Sequence, residues 1–162
     1  MHRPFEIQIV PATTADDIAS VRDLFKEYAS NLQIDICFQN FDHELATLPG
    51  CYAPPGGCLL LARVRGENAG CVALRPMEGG AGEIKRLYVR PDFRRRGLGK
   101  RLVQVALKEA RRMVCRLLRL DTFREMRAAI ALYAGFGFKE VAPYRPGEPE
   151  GICYFELALE SD

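Results

Sequence analysis

Glu83-Ile84-Lys85-Arg86-Leu87-Tyr88-Val89-Arg90-Pro91-Asp92-Phe93-Arg94-Arg95-Arg96-Gly97-Leu98-Gly99-Lys100 changes character twice along its length. Residues 83–89 are rich in Ile, Leu, Tyr and Val and read as a β-strand. Pro91-Asp92 ends that strand. Three arginines then lead into Gly97-Leu98-Gly99, and Leu102, Val103, Val105, Ala106, Leu107 and Ala110 supply the apolar stripe of a helix from about residue 98 to 113. A helix start of this kind has a chemical use. Its first amides lack intrahelical partners and carry partial positive charge. Gly97 and Gly99 present no side chains, so a bulky anion can reach the backbone. Arg94, Arg95, Arg96, Lys100 and Arg101 add full charges. The combination predicts a pyrophosphate site. It is neither a P-loop, which needs Gly-Lys-Ser/Thr, nor a Gly-x-Gly-x-x-Gly dinucleotide turn.

Outward from this stretch, the chain alternates short strands and amphipathic helices. Residues 5–10 read as a strand, and Thr14 with Asp16 and Asp17 starts a helix over residues 15–29. A short helix over residues 42–48 precedes a turn-rich loop at 52–57. Strands at 58–64, 69–74 and 83–89, joined by turns at Gly66-Glu67-Asn68 and Gly79-Gly80, make an antiparallel meander. A strand at 117–120, a helix at 126–134 closed by Gly135, and strands at 138–142 and 152–159 complete the order. This predicts an α/β (α+β layered) fold, with one mixed, mostly antiparallel sheet flanked by helices on both faces. No repeat, linker or low-complexity tract interrupts residues 1–162, so a single domain is expected.

The chain has 162 residues and a net charge of only +2, which gives no reason to expect a nucleic-acid or membrane partner. The basic residues nevertheless crowd between residues 85 and 127. The six cysteines show no Cys-x-x-Cys spacing and the two histidines stand apart from them, so no metal site is expected and the thiols read as reduced. The first residues lack a signal-peptide apolar stretch, and no apolar run is long enough to span a bilayer, so a cytoplasmic location is expected, as monomer or homodimer.

Residues 83–99, as quoted, closely resemble the acetyl-CoA-binding motif of the Gcn5-related N-acetyltransferase (GNAT) family. Ala129-Ile130-Ala131-Leu132-Tyr133-Ala134-Gly135-Phe136-Gly137-Phe138 resembles the later motif of the same family, in the same order and spacing. The resemblance implies a transferase that moves an acetyl group from acetyl-CoA directly to a primary amine of a small molecule, amino acid or peptide, without a metal. It implies that the backbone of Leu87, Tyr88 and Val89 pairs with the pantetheine arm as an added strand does. The pyrophosphate would rest on residues 95 to 100, with Arg94, Arg95, Arg96, Gly97, Leu98, Gly99 and Lys100 as its surroundings. Many members carry an asparagine where this chain has Met126, which packs against the cofactor but cannot bond as an amide does.

The resemblance also implies two catalytic roles, each beside a plainer one. Glu83 is the general base that deprotonates the acceptor, or it is paired with Lys85 or another basic side chain. Tyr133 is the acid that protonates the departing thiolate, or it is a core tyrosine. On the acceptor side the candidates are Phe38, Phe41, Tyr52, Tyr144 and Arg145, the last as a clamp for a substrate carboxylate or as a surface residue. The alternative to an enzyme is a non-catalytic acyl-CoA-binding sensor on the same fold.

Overall fold

The structure, a computed structural model, describes residues 6–32, 40–148 and 150–160. Its elements are β1 (Ile7–Pro11), α1 (Ala15–Asn31), α2 (Phe41–Thr47), β2 (Cys58–Val64), β3 (Glu67–Pro76), β4 (Ala81–Val89), α3 (Leu98–Arg112), β5 (Leu117–Phe123), α4 (Arg127–Gly135), β6 (Lys139–Val141) and β7 (Ile152–Ala158). The seven strands form one sheet in the order β1-β2-β3-β4-β5-β7-β6, antiparallel except for β4 against β5. The expected α/β layering is therefore present.

Helix placement follows local chemistry. The Thr14 side chain accepts from the Asp17 amide and caps α1, with Asp16 and Asp17 in its first turn. α1 buries Val21, Leu24 and Phe25 on one face of the sheet, against Leu59, Leu61, Cys71, Ala73 and Tyr88. α3 buries Leu98, Leu102, Val103 and Ala106 on the other face, against Leu60, Val72, Ile84 and Leu118. Successive residues of β2 thus feed opposite cores, which is why that strand reads as a continuous apolar run.

Several boundaries differ from the sequence expectation for reasons of pairing. β5 runs to Phe123 instead of ending at residue 120, because β7 pairs with it from Leu117↔Ala158 to Phe123↔Ile152. The ladder carries Asp121 and Thr122 into the sheet, although Asp by itself is a weak strand former. The strand expected at 138–142 shrinks to Lys139–Val141, the residues that find partners on β7. Met126 is the residue before α4 and not its first turn.

Two irregularities of β4 create the site. β4 pairs with β5 only from Ala81↔Leu117 to Glu83↔Arg119, after which the two strands part. Against β3, the register jumps from Ala73↔Lys85 to Cys71↔Tyr88, and Arg86 has φ 60. This is a β-bulge, which re-aims side chains. Ile84 and Leu87 pack with the α3 core, whereas Arg86 reaches α2 and Tyr88 joins the α1 core.

Candidate active site

Where β4 and β5 part, a cleft of about 870 Å³ opens, bounded also by α1 and by the starts of α3 and α4. Of the residues expected to hold a cofactor, Leu87, Tyr88, Val89, Arg94, Arg95, Gly97, Leu98, Gly99, Lys100 and Met126 all line this cleft, and Arg96 does not. Gly97 precedes α3 with φ 75, a conformation that disfavours a side chain, and a Cβ there would meet no atom within 4 Å. The first helical hydrogen bond runs from the Arg101 amide to the Gly97 carbonyl, so the amides of residues 98 to 100 have no acceptor within the helix. These amides, the open space beside Gly97 and the charges of Arg94, Arg95 and Lys100 fit a phosphate-bearing ligand.

Gly99 lines the cleft and also lets neighbouring elements approach closely. A Cβ on it would lie 3.5 Å from Leu132 Cδ2 and 3.9 Å from Val89 Cγ2, so it sits where α3 approaches α4 and β4. The Val89 carbonyl accepts from Arg94 Nε at 2.9 Å and is engaged within the protein, which shifts the expected backbone pairing toward Leu87 and Tyr88. Arg94 also lies over the Tyr88 ring, at 6.0 Å, and Tyr88 Oη accepts from Asn31 Nδ2 at 2.8 Å. Tyr28, Asn31 and Leu32 of the α1 end line the cleft as well. The sequence pattern places Tyr28 on a core stripe, and nothing in an amphipathic pattern tells a residue facing a core from one facing a cleft.

At the apex of the opening, Glu83 is completely buried. Arg75 Nε donates to its Oε1 at 2.7 Å. Tyr144 Oη donates to its Oε2 at 2.9 Å, and Arg145 pairs with the same oxygen. Burial pushes this carboxyl up, but Lys85, Arg75 and Arg145 together outweigh it and hold it below the ordinary glutamate value of 4.5. A carboxylate so held is a weak proton acceptor.

Tyr144 and Arg145 therefore come together with Glu83, but through bonds within the protein. Arg145 Nη1 donates to Asp121 Oδ2 at 2.7 Å while its other nitrogen meets Glu83, so the guanidinium is already clamped on two carboxylates of this chain. Phe41 lies beneath Arg86, 5.1 Å from its guanidinium carbon, and Tyr52 Oη donates to Glu44 at 3.0 Å. Phe38 lies outside the described residues.

Next to this network is a small polar pocket of about 20 Å³, lined by Tyr28, Lys85, Arg86, Asp121, Thr122, Phe123 and Ile152. Tyr28 borders both this pocket and the large cleft. Lys85, Arg86 and Asp121 are the site residues that sequence reasoning missed. Their signal was three charges, Glu83, Lys85 and Arg86, in a strand bracketed by apolar ones, since charges in a central strand need partners.

Tyr133 is 5% exposed and stacks edge-on against Phe138, ring centres 5.7 Å apart. Leu132 before it lines the cleft, and Tyr133 does not. Burial pushes its phenol up, with Tyr28 and Asp121 adding to the effect, which keeps it protonated.

Among the described residues no cluster of His, Cys, Asp and Glu is placed to hold a metal ion, and no helix is long and apolar enough to cross a membrane.

Residues 18–138 match the sequence profile of the acetyltransferase (GNAT) family. An uncharacterized N-acetyltransferase of Schizosaccharomyces pombe is 36% identical over 161 residues, covering 98% of this chain and 99% of the relative. The IAA acetyltransferase of Azospirillum brasilense is 36% identical over 104 residues, 64% of this chain and 68% of the relative. Among solved structures, the PaiA N-acetyltransferase of Thermoplasma acidophilum, in complex with coenzyme A, superposes with a TM-score of 0.74 at 17% identity, over 95% of this chain and 99% of the other, a likeness of fold.

Proposed function

This chain belongs to the GNAT acetyltransferase family, and from that premise we propose that it moves an acetyl group from acetyl-CoA directly to a primary amine of a small molecule, amino acid or peptide. The observation that carries this reading is the junction at Tyr28. A long cleft with a cationic helix start at one end meets a small polar pocket at the other. The cleft suits a long thiol ester with a pyrophosphate, and the pocket suits the group that attacks it. Relatives named as N-acetyltransferases support the donor and the reaction class.

In this reading the amides of residues 98 to 100 hold the pyrophosphate, with Arg95 and Lys100 beside them. Backbone groups of Leu87 and Tyr88, next to the bulge at Arg86, guide the pantetheine arm. An N–H of the same strand faces the oxyanion as the amine attacks the thioester carbonyl. Tyr133, kept as a phenol, returns a proton to the departing thiolate. No covalent enzyme intermediate is required.

The test is a thiol-release assay with acetyl-CoA and a panel of primary amines, amino acids and short peptides. The reading expects release with at least one class of amine and a mass gain of one acetyl group on it. Acetyl-CoA binding without release across the whole panel would replace the transferase by a sensor.

A further inference from the structure

The geometry points to Lys85, and not Glu83, as the group that takes the proton from the acceptor's ammonium. This rests on the transferase reading above and concerns the acceptor end of that same site. Glu83 borders neither the cleft nor the small pocket, and both of its oxygens are bonded by Arg75, Tyr144 and Arg145. Lys85, two residues along the same strand, borders the pocket. Its side chain is almost wholly buried, and its Nζ lies 3.6 Å from Asp121 Oδ1, too far for a good hydrogen bond. The other Asp121 oxygen is held by Arg145 Nη1 at 2.7 Å. Space of about 20 Å³ holds roughly one water molecule or one ammonium group, and this space abuts the residue where the cleft ends.

The groups that face or act on Lys85 come from the pocket wall and from behind it. They are Glu83 and Arg86 on β4, Asp121 on β5, Tyr28 on α1, and Arg145 in the loop before β7. Burial lowers the proton affinity of Lys85. Asp121 and Glu83 oppose this, Arg86 and Arg145 reinforce it, and the balance lies below the ordinary lysine value of 10.5. A buried lysine of this kind serves as a general base.

The step balances without any further reactant. The Lys85 Nζ lone pair takes one proton from the acceptor's ammonium, and Asp121 faces the new lysine charge. The freed amine attacks the thioester carbon, a C–N bond forms and the C–S bond breaks. The attacking nitrogen loses its second proton as the C–S bond breaks; Tyr133 gives its own proton to the thiolate and takes this second proton in its place, and Lys85 releases its proton to solvent.

The experiment compares wild type, Lys85→Arg and Lys85→Gln on an amine turned over in the panel, with kcat/KM followed from about pH 6 to 10 and acetyl-CoA binding measured by calorimetry. Arginine keeps the charge but is never a base in this range. Both variants should keep acetyl-CoA binding and lose about 100-fold in kcat/KM near neutral pH. The loss should shrink to within about tenfold as the pH nears about 10, where the acceptor deprotonates itself. A loss equal at all pH values, or none, overturns the proposal and leaves the transferase standing. So does a Glu83→Gln variant that is folded and shows the pH-dependent loss instead. A wild type that does not bind acetyl-CoA removes the transferase reading, and this proposal with it.

Discussion

In the outer part of the opening between β4 and β5, a cleft of about 870 Å³ is bounded by strand backbone, a glycine-led helix start and a few basic side chains. At its apex, a pocket of about 20 Å³ has Lys85, Arg86 and Asp121 in its wall, and behind that wall Arg75, Glu83 and Arg145 pair with one another and with Asp121. In the proposed reading the first region would recognise its ligand through backbone geometry and helix charge, which do not depend on most side-chain identities. The second has turned its polar capacity on itself and leaves room for one small group. In the proposed reaction the donor end would thus rest mainly on backbone and the acceptor end on side chains.

The strongest challenge to that contrast is Gly97→Glu. It puts bulk and negative charge beside the amides of residues 98 to 100, at a φ of 75 that a side chain disfavours. Acetyl-CoA affinity should fall about 1000-fold, about 4 kcal/mol, by calorimetry on folded protein. Unchanged affinity would place the pyrophosphate elsewhere.

Next comes Glu83→Gln, which attacks the apex without touching the cleft. Arg75 and Arg145 would lose their shared carboxylate, and stability should fall by about 3 kcal/mol in denaturant titration while acetyl-CoA still binds. The pH dependence carries the same signature. Because the folded carboxyl is held below 4.5, its contribution is complete above that value and disappears as the pH falls through the depressed one. The wild type should therefore lose more stability on acidification than Glu83→Gln does. Equal acid sensitivity would mean that the network contributes little.

Tyr133→Phe probes the core just behind the cleft wall, where Leu132 lines the cleft and Tyr133 does not. It removes one hydroxyl from a ring that stays packed on Phe138. Turnover should drop about 30-fold, about 2 kcal/mol of barrier, with acetyl-CoA binding kept. An unchanged rate would make Tyr133 a core residue only. The smallest effect expected is the difference between neighbours in the arginine run. Arg95 lines the cleft and Arg96 does not, so Arg95→Ala should weaken acetyl-CoA binding about threefold more than Arg96→Ala.

The same contrast decides what could be read from the sequence. About half of the cleft's wall comes from one contiguous stretch, residues 87 to 100, in which glycine positions and a strand-to-helix change are visible as letters. The apex draws on residues 75, 83 to 86, 121 and 145, which no spacing rule connects. The bulge at Arg86 also breaks the alternation of β4, so counting every second residue from Glu83 misplaces Leu87 and Tyr88. Arg145 looked available because its loop is polar, and only the fold brings Glu83 and Asp121 against it. Tyr28 was legible as helix and illegible as cleft wall.

A crystal structure of the protein with acetyl-CoA would test this two-part site better than any variant. It should show the pyrophosphate on the amides of residues 98 to 100, the pantetheine arm beside Leu87 and Tyr88, and the acetyl group at the Tyr28 junction facing Lys85 and Asp121. Acetyl-CoA bound with its pyrophosphate away from Gly97, or with its acetyl group turned away from that junction, would refute the division into donor cleft and acceptor pocket.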